Sequence, residues 1–444
     1  MKKNNKIFIE TYGCQMNFSD SEIVASILTN DGYELIPNVL EADIIFINTC
    51  SIRENAEDRV RKRLYYFKSL KKKNPKLVIG LLGCMADRTR LALVEEEQLL
   101  DLVAGPDSYR HLPDLIRQIS KEIPAIDTIL STDETYADIS PVRIDSNGIS
   151  AFISIMRGCE NYCSYCVVPF TRGKERSRDA ASIIEETKDL FEKGYREVTL
   201  LGQNVNSYRW TNEEGTINFA QLLELIAEVN SRIRIRFATS HPKDISDELL
   251  YTIARHDNLC KAIHLPVQSG SDHILGLMNR KYTRKQYMER IEAIRRILPN
   301  CAISTDIISG FCEETEADHQ DTLSLMEWVG YDAAYMFKYS ERPQTLAAET
   351  LKDNVPTGIK DQRLQEIIQL QQKLSLERNK LEIGKTVQVL IEGRSKRSED
   401  HYFGRTIQNK VVVFSKTIAQ PGDLIKVKIL SVTSATMIGE TVES

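Results

Sequence analysis

Short apolar runs of strand length recur along most of this chain, each followed by an amphipathic stretch of helical period. Residues 6–10, 43–48, 77–82 and 101–104 are near-continuous apolar runs, the pattern of parallel strands buried on both faces. Residues 19–30 and 54–71 between them read as helices, and Ser19 with Glu22 has the form of a capping box. A βα repeat of this kind predicts an α/β fold, with a doubly wound, flavodoxin-like parallel sheet over residues 1–125.

Residues 126–148 are polar, with Ser131-Thr132-Asp133-Glu134 and Ser146-Asn147-Gly148, and read as a linker. A second βα series follows. Its candidate strands cover residues 151–156, 197–201, 234–238, 262–266, 303–308 and 333–338, with helical stretches such as 180–193, 219–230 and 284–297 between them. Six such units predict a partial (β/α)6 TIM-type barrel within residues 149–375. Residues 357–383 read as one long helix with Leu364, Ile367, Ile368 and Leu374 on a single face. Beyond Gly384 the pattern changes to short β-rich runs at 386–391, 410–414 and 424–431, broken by Gly393, Gly404 and Pro421-Gly422-Asp423. These predict a small all-β barrel within residues 376–444.

A length of 444 residues suits two or three domains, and 42% hydrophobic with 27% charged residues fits a soluble globular protein. The sequence shows no apolar stretch of signal-peptide or membrane-spanning length, so the cytoplasm is the expected location and no membrane is expected as partner. Nine cysteines is an odd count; in a reducing cytosol, clusters of them read first as metal or redox sites. The formal net charge of −5 does not advertise a nucleic-acid binder, although local patches matter more than the total.

Cys159, Cys163 and Cys166 form a Cys-x3-Cys-x2-Cys set just past the first strand of the second series, the face at which such barrels place their chemistry. Three thiolates on one short loop hold three irons of a 4Fe-4S cluster and leave the fourth open to a small molecule, whereas structural clusters are closed by four cysteines. A zinc site completed by a histidine, in a non-catalytic RNA-binding protein, is the alternative; zinc favours paired Cys-x2-Cys units, and no second pair exists here. Cys14, Cys50 and Cys84 share no local motif, yet each directly follows an expected parallel strand. The carboxyl ends of parallel strands share one sheet edge, about 4.8 Å from strand to strand, so three loops there converge on one centre. A second cluster with an open iron is expected, with buried packing cysteines as the alternative. Cys260, Cys301 and Cys312 form no such set and read as packing residues.

With these residues in view, the chain resembles the radical S-adenosylmethionine (SAM) methylthiotransferases over essentially its whole length. The Cys-x3-Cys-x2-Cys loop is similar to that family's radical-SAM motif. Thr-Tyr-Gly-Cys-Gln-Met-Asn around Cys14, Asn-Thr-Cys-Ser-Ile-Arg-Glu-Asn-Ala around Cys50 and Gly-Cys-Met-Ala around Cys84 resemble its auxiliary-cluster motifs, and the last barrel resembles its RNA-binding TRAM domain. The stretch from Cys166-Val167-Val168-Pro169 to Arg176-Ser177-Arg178 is similar to the branch acting on N6-isopentenyladenosine of tRNA. So are Gly202-Gln203-Asn204-Val205-Asn206 and His264-Leu265-Pro266-Val267-Gln268-Ser269-Gly270. Relatives acting on threonylcarbamoyladenosine tRNA, or on an aspartate of a ribosomal protein, are the alternatives within the family. Two loops depart from the family pattern. Cys312-Glu313 stand where Pro-Gly is usual, and Gln344 and Leu346 stand where Gly and a second Pro are usual. Other backbone conformations are expected there.

The resemblance implies that Cys159, Cys163 and Cys166 bind a cluster whose open iron chelates SAM, that reduction by a flavodoxin or ferredoxin yields a 5′-deoxyadenosyl radical, and that this radical acts on C2 of the modified adenine. It implies a second 4Fe-4S cluster on Cys14, Cys50 and Cys84 that carries the sulfur to be inserted. Two SAM molecules per turnover would then serve as radical source and methyl donor. A monomer is expected. Polar strand-end residues Gln203, Asn204, Ser240, His241, Gln268, Asp306 and Glu314, with Arg178, are candidates to bind SAM; Arg172, Arg176 and Arg178 form a group suited to phosphate or carboxylate, or to a solvated helix start. From Gly384 on, Lys and Arg outnumber Asp and Glu by nine to six. Lys396, Arg397, Arg405, Lys426 and Lys428 are candidates for tRNA phosphates, and Tyr402 and Phe403 for stacking on bases. Lys71-Lys72-Lys73 reads as a solvated helix end.

Overall fold

The computed structural model describes residues 5–49, 54–89, 99–119, 124–144, 146–213 and 215–442. Six parallel strands open the chain: β1 (Lys6–Thr11), β2 (Glu34–Leu35), β3 (Ile44–Thr49), β4 (Val78–Gly83), β5 (Leu102–Ala104) and β6 (Ala125–Asp127), in the spatial order β2-β1-β3-β4-β5-β6. Every residue of β3 is buried because helices cover both faces of the sheet. Ile45 and Ile47 pack with Val60, Leu64 and Phe67 of helix α2 (Glu54–Lys73) on one side. Ile44 and Phe46 pack with Val24 and Leu28 of α1 (Gln15–Asn30) on the other. The edge strands β2 and β6 are too short to carry a readable period, and sequence reading missed both.

Helix α1 starts four residues before the expected capping box. Cys14 is its N-cap, and Ser19 and Glu22 lie buried inside it. Polar residues of this helix serve contacts beyond it: Asp20 meets Arg157 and Arg172 of the next domain, and Glu22 meets Arg143 of the connecting segment. Residues 128–144 contain no strand or helix but are pinned. Tyr136 is buried and donates to Pro106 O (3.0 Å), Ser26 Oγ donates to Ser140 O (2.7 Å), and Arg143 bridges Glu22 and Glu186.

The second series forms two three-stranded parallel sheets. β7 (Ser150–Ser154), β10 (Glu197–Leu201) and β13 (Arg234–Phe237) make the first; β14 (Ala262–His264), β15 (Ala302–Ser309) and β16 (Ala333–Lys338) make the second. A parallel bridge between Ile235 and Leu259 joins them into one arc. All six strands point the same way, so their carboxyl ends share one mouth. Two short pairs stand off this arc: β8 (Met156–Arg157) with β9 (Arg176–Ser177), and the hairpin β11 (Arg209–Asn212) with β12 (Gly215–Asn218).

After the long helix Thr357–Lys380 the chain closes a five-stranded barrel from β17 (Thr386–Arg394), β18 (His401–Thr406), β19 (Val411–Ser415), β20 (Leu424–Val432) and β21 (Met437–Thr441). Gly404 permits the closure, since a Cβ there would stand 2.0 Å from Leu390 O. The buried guanidinium groups of Arg234 and Arg236 on β13 dock this barrel. They donate to the carbonyls of Arg405 (2.8 Å) and Thr406 (2.8 Å). No helix among the described residues is long and apolar enough to cross a membrane.

Candidate functional site

Pairing of β8 with β9 closes the base of the loop that carries Cys159, Cys163 and Cys166. Gly158 makes the close approach possible: its φ is +80°, and a Cβ would fall 1.9 Å from Lys174 O. Cys159 N then donates to Gly173 O (3.1 Å), and Tyr162 turns the loop with a left-handed φ of +50°. Asn161 Nδ2 reaches Cys159 Sγ at 3.4 Å, and Arg280 Nη1 reaches Cys163 Sγ at 3.2 Å. Burial pushes the Cys159 thiol up to about 11 and the Cys166 thiol up to about 12, with Cys163 adding to both. Three thiolates there oppose one another and the loss of water, and metal cations would relieve both. The donor set therefore fits an iron–sulfur cube. Among the described residues no three His, Cys, Asp or Glu side chains stand close enough to share one ion. A cube spreads its thiolates over separate irons.

Arg280 was not foreseen. It is fully buried, donates to Pro266 O as well (2.8 Å), and is flanked by Asn279 and Lys281, both at left-handed φ of +56° and +62°. Strain of that kind, on both sides of one side chain, marks a segment held in place for its contacts. No local pattern signals it.

At the carboxyl edge of the first sheet, Cys14 caps α1 and donates to Asn17 Oδ1 (3.1 Å). Asn17 Nδ2 in turn donates to Thr49 O (2.9 Å) and Asn48 Oδ1 (3.1 Å), which ties the start of α1 to the end of β3. Cys84 begins the short helix α3 (Cys84–Thr89) directly after β4, and is buried. Cys50 lies outside the described residues. Burial raises the Cys84 thiol, Arg172 opposes this, and neighbouring Cys14 adds to it.

Arg172, at the end of the helix Val168–Arg172 just past Cys166, crosses to the other domain. Its Nε donates to Cys84 Sγ (3.2 Å) and its Nη2 to Asp20 Oδ2 (2.7 Å). Its buried Nη1 has no partner among the described residues. An anionic cluster at Cys84 would supply the missing acceptor. Asp20 Oδ1 also stands 2.9 Å from Arg157 Nη2, so one fully buried carboxylate joins the two ends of the cysteine loop to the helix headed by Cys14. Arg176 adds a bidentate pair with Asp107 (2.8 and 3.0 Å). The expected anion-binding group is therefore neither solvated nor open. Arg178 is likewise committed, to Glu186, Ser182 and Ser154 O, with no donor left for a cofactor.

Orphaned polar atoms gather at the barrel mouth. Gln203 Oε1, Asn204 Oδ1, Asn206 Oδ1 and Nδ2, Ser240 Oγ and His241 Nε2 are buried without a hydrogen-bond partner. Buried polar atoms are normally satisfied, so this cluster fits a polar ligand such as SAM. Thr239 and Gln268, at two strand ends, hold left-handed φ of +67° and +72°. Burial and the nearby cations Arg280 and Lys243 push His241 down to about 2, so its ring is neutral. Asp306, on the β15 face away from the helix-packed Ile303 and Ile307, stands 3.4 Å from His264 Nε2. Glu314 does not join this group. Its carboxylate accepts from Gly310 N (2.9 Å) and Arg363 Nη1 (3.0 Å), a bond that fastens the long helix Thr357–Lys380.

In the last barrel Lys396 and Arg397 are exposed on the β17–β18 turn, and Lys426 and Lys428 on β20. Tyr402 is a correction: it is buried against Phe414 (ring centroids 6.4 Å apart), so it cannot stack on a base. Strand alternation turns Phe403 outward instead, half-buried. Arg405 is paired with Glu392 at 3.1 Å. At the two departing loops, Glu313 and Gln344 hold φ of +64° and +68°, in the left-handed region that a glycine favours.

Residues 6–105 match the family described as "Uncharacterized protein family UPF0004", residues 153–326 the "Radical SAM superfamily", and residues 380–442 the "TRAM domain". A protein of Amoebophilus asiaticus named tRNA-2-methylthio-N(6)-dimethylallyladenosine synthase is 57% identical over 98% of this chain and 92% of its own length. Proteins of the same name from Parabacteroides distasonis and Bacteroides fragilis are 58% and 57% identical, over 99% of this chain and 96% of theirs. Among solved structures, the radical SAM methyltransferase TsrM of Kitasatospora setae superposes with a TM-score of 0.56 at 13% identity, over 78% of this chain and 75% of that one. That likeness is one of fold.

Proposed function

Because the chain belongs to the tRNA-2-methylthio-N(6)-dimethylallyladenosine synthases, we propose that its two cysteine sets hold two iron–sulfur clusters working as a pair across the arginine-linked interface. The chain is a radical-SAM tRNA methylthiotransferase that acts at C2 of N6-isopentenyladenosine beside the anticodon. When bound, the first cluster with SAM supplies the radical that activates C2, and the second cluster supplies sulfur that a further SAM methylates.

The chain's own residues bind, orient and exclude water. Cys159, Cys163 and Cys166 ligate the first cluster; Arg280 and Asn161 donate to two of these sulfurs and draw charge from them. Gln203, Asn204, Ser240 and neutral His241 offer the unsatisfied atoms that meet the polar ends of SAM, with Gln268 and Asp306 beside them. Cys14, Cys50 and Cys84 ligate the second cluster, and Arg172 holds it against the barrel by donating to Cys84. The substrate adenine sits between the two sites, and the buried Asp20 network keeps their spacing constant. The last barrel receives the tRNA through Lys396, Arg397, Lys426 and Lys428, with Phe403 for stacking. A flavodoxin or ferredoxin donates the electron, and the enzyme works in the cytoplasm as a monomer.

The observation that carries this reading is Arg172, six residues beyond the last cysteine of one set, bonded to a cysteine of the other. The test is iron and sulfide content after anaerobic reconstitution. Replacing Cys159, Cys163 and Cys166 by Ala is expected to halve both, as is replacing Cys14, Cys50 and Cys84. Wild-type protein that takes up zinc and no iron refutes the reading. In a deletion strain, tRNA must accumulate isopentenyladenosine lacking the methylthio group.

A further inference from the structure

Helix α2 begins four residues after Cys50, and beyond its acidic first turns (Glu54, Glu57 and Asp58) it carries charge of one sign. From Arg59 to Lys76 there are nine Lys or Arg and no Asp or Glu, in a chain whose net charge is −5. Its inner face, Val60, Leu64 and Phe67, is packed on the sheet. Its outer face presents Arg61, Lys62, Tyr65, Lys68, Ser69 and Lys72 in one helical stripe, with Tyr65 62% exposed at the centre.

Folding does not account for this composition. Of the nine cations, Arg63 pairs with Glu10 (2.8 Å) and Lys71 with Asp101. Lys62, Lys68 and Lys72 have no ion pair among the described residues. Like charges at i,i+3 and i,i+4, such as Lys68 with Lys71 and Lys72, destabilise a helix. The helix dipole favours cations only in the last turn, which covers Lys71 to Lys73 and does not reach Lys62 or Lys68. In α2 the acidic residues are confined to positions 54–58, whereas the outer helix Arg284–Ile297 intersperses Glu289 and Glu292 among its cations.

We propose that this face of α2 is a second tRNA-binding surface, with Lys62, Lys68 and Lys72 on backbone phosphates and Tyr65 stacked on a base or ribose. From residue 61 to residue 72 the stripe runs about 17 Å, long enough to follow several successive phosphates of one strand. The exposed aromatic inside a cationic track is the arrangement that binds single-stranded or looped RNA. The charge complementarity is with the substrate already assigned, so the inference rests on that reading. It adds that the domain holding the second cysteine set grips the RNA directly, instead of leaving this to the last barrel.

The test is tRNA binding by the intact, reconstituted protein across a salt series. In a variant carrying Lys62→Glu, Lys68→Glu and Lys72→Glu, affinity near physiological salt is expected to fall about tenfold or more, and the slope of log K against log salt to shrink by roughly two to three. Tyr65→Ala is expected to weaken binding several-fold without changing that slope. Lys188→Glu with Lys193→Glu, on the outer helix of the central barrel, controls for net charge and is expected to leave the slope alone. Circular dichroism verifies the fold of each variant. If wild type binds tRNA and the triple variant matches it in affinity and slope, the inference falls. It falls equally if tRNA binding is unchanged while turnover drops with flavodoxin but not with a chemical reductant, since α2 would then dock an acidic redox protein. Wild type that binds no tRNA at all refutes the substrate reading itself.

Discussion

Glu313 and Gln344 occupy left-handed backbone without being glycine, and the loops keep that geometry because their surroundings hold it. Glu313 N donates to Asn354 Oδ1 (2.9 Å), and Thr345 caps the helix that follows Gln344. A left-handed non-glycine residue costs about 1–2 kcal/mol, and glycine costs about 0.5–1 kcal/mol more backbone entropy in the unfolded chain. Glu313→Gly and Gln344→Gly are therefore each expected to stabilise the central barrel by up to about 1 kcal/mol, measured by denaturant unfolding. A second prediction concerns His241. Its ordinary value of 6.5 is lowered to about 2 by burial, so the folded protein refuses a proton that the unfolded chain accepts. This stability is complete above about pH 6.5 and is lost as pH falls toward 2. Relative to His241→Gln, the wild type should lose about 2 kcal/mol between pH 7 and pH 5, read from parallel urea titrations. Parallel pH profiles for the two proteins would refute it. Residue chemistry also shows where reading the sequence stopped short. Tyr402 and Phe403 were both candidates for stacking, yet adjacent residues of a strand face opposite sides, so one of the two had to be interior.

Secondary elements act here as holders for single contacts. The pairing of β8 with β9 and the absence of a side chain at Gly158 together shape the cysteine loop. Gly158→Ala must move the backbone of Lys174 and is expected to abolish iron uptake by Cys159, Cys163 and Cys166 while sparing the other set, leaving about half the wild-type iron. Full iron content in that variant would show that the loop has slack. The barrel strands were legible because their apolar runs carry period and length; residues 197–201 and 333–338 were anticipated to the residue. Strands β18 and β21 were not, since Gly404, Arg405 and Gly439 interrupt their apolar character. Helix α1 was legible in kind but misplaced at its start. Glu22, which looked like part of a cap, lies inside the helix and pairs with Arg143 of the connecting segment.

At the scale of the molecule, the two cysteine-bearing domains are joined by buried charge. Removing one partner of a buried pair leaves the other uncompensated, at about 3–5 kcal/mol. Asp20→Ala strands Arg157 and Arg172 together and is expected to lower Tm sharply. Arg172→Gln is expected to shift the electron paramagnetic resonance spectrum of the Cys14, Cys50 and Cys84 cluster, examined alone in a protein lacking the other triplet. An unchanged spectrum would mean that Arg172 only fastens the interface. The sequence by itself determined the kinds of domain, the order of their elements and the place of Cys14 and Cys84 just past strand ends, because periodicity and spacing along the chain carry that information locally. Tertiary structure alone decided that Arg172 serves Cys84 and Asp20 instead of an external anion, that Arg280 reaches Cys163, and that Arg178 and Glu314 are spent on internal pairs. Each of these depends on which distant charge shares a buried space, and a charge leaves no periodic mark in the sequence to say whether its partner is protein or ligand.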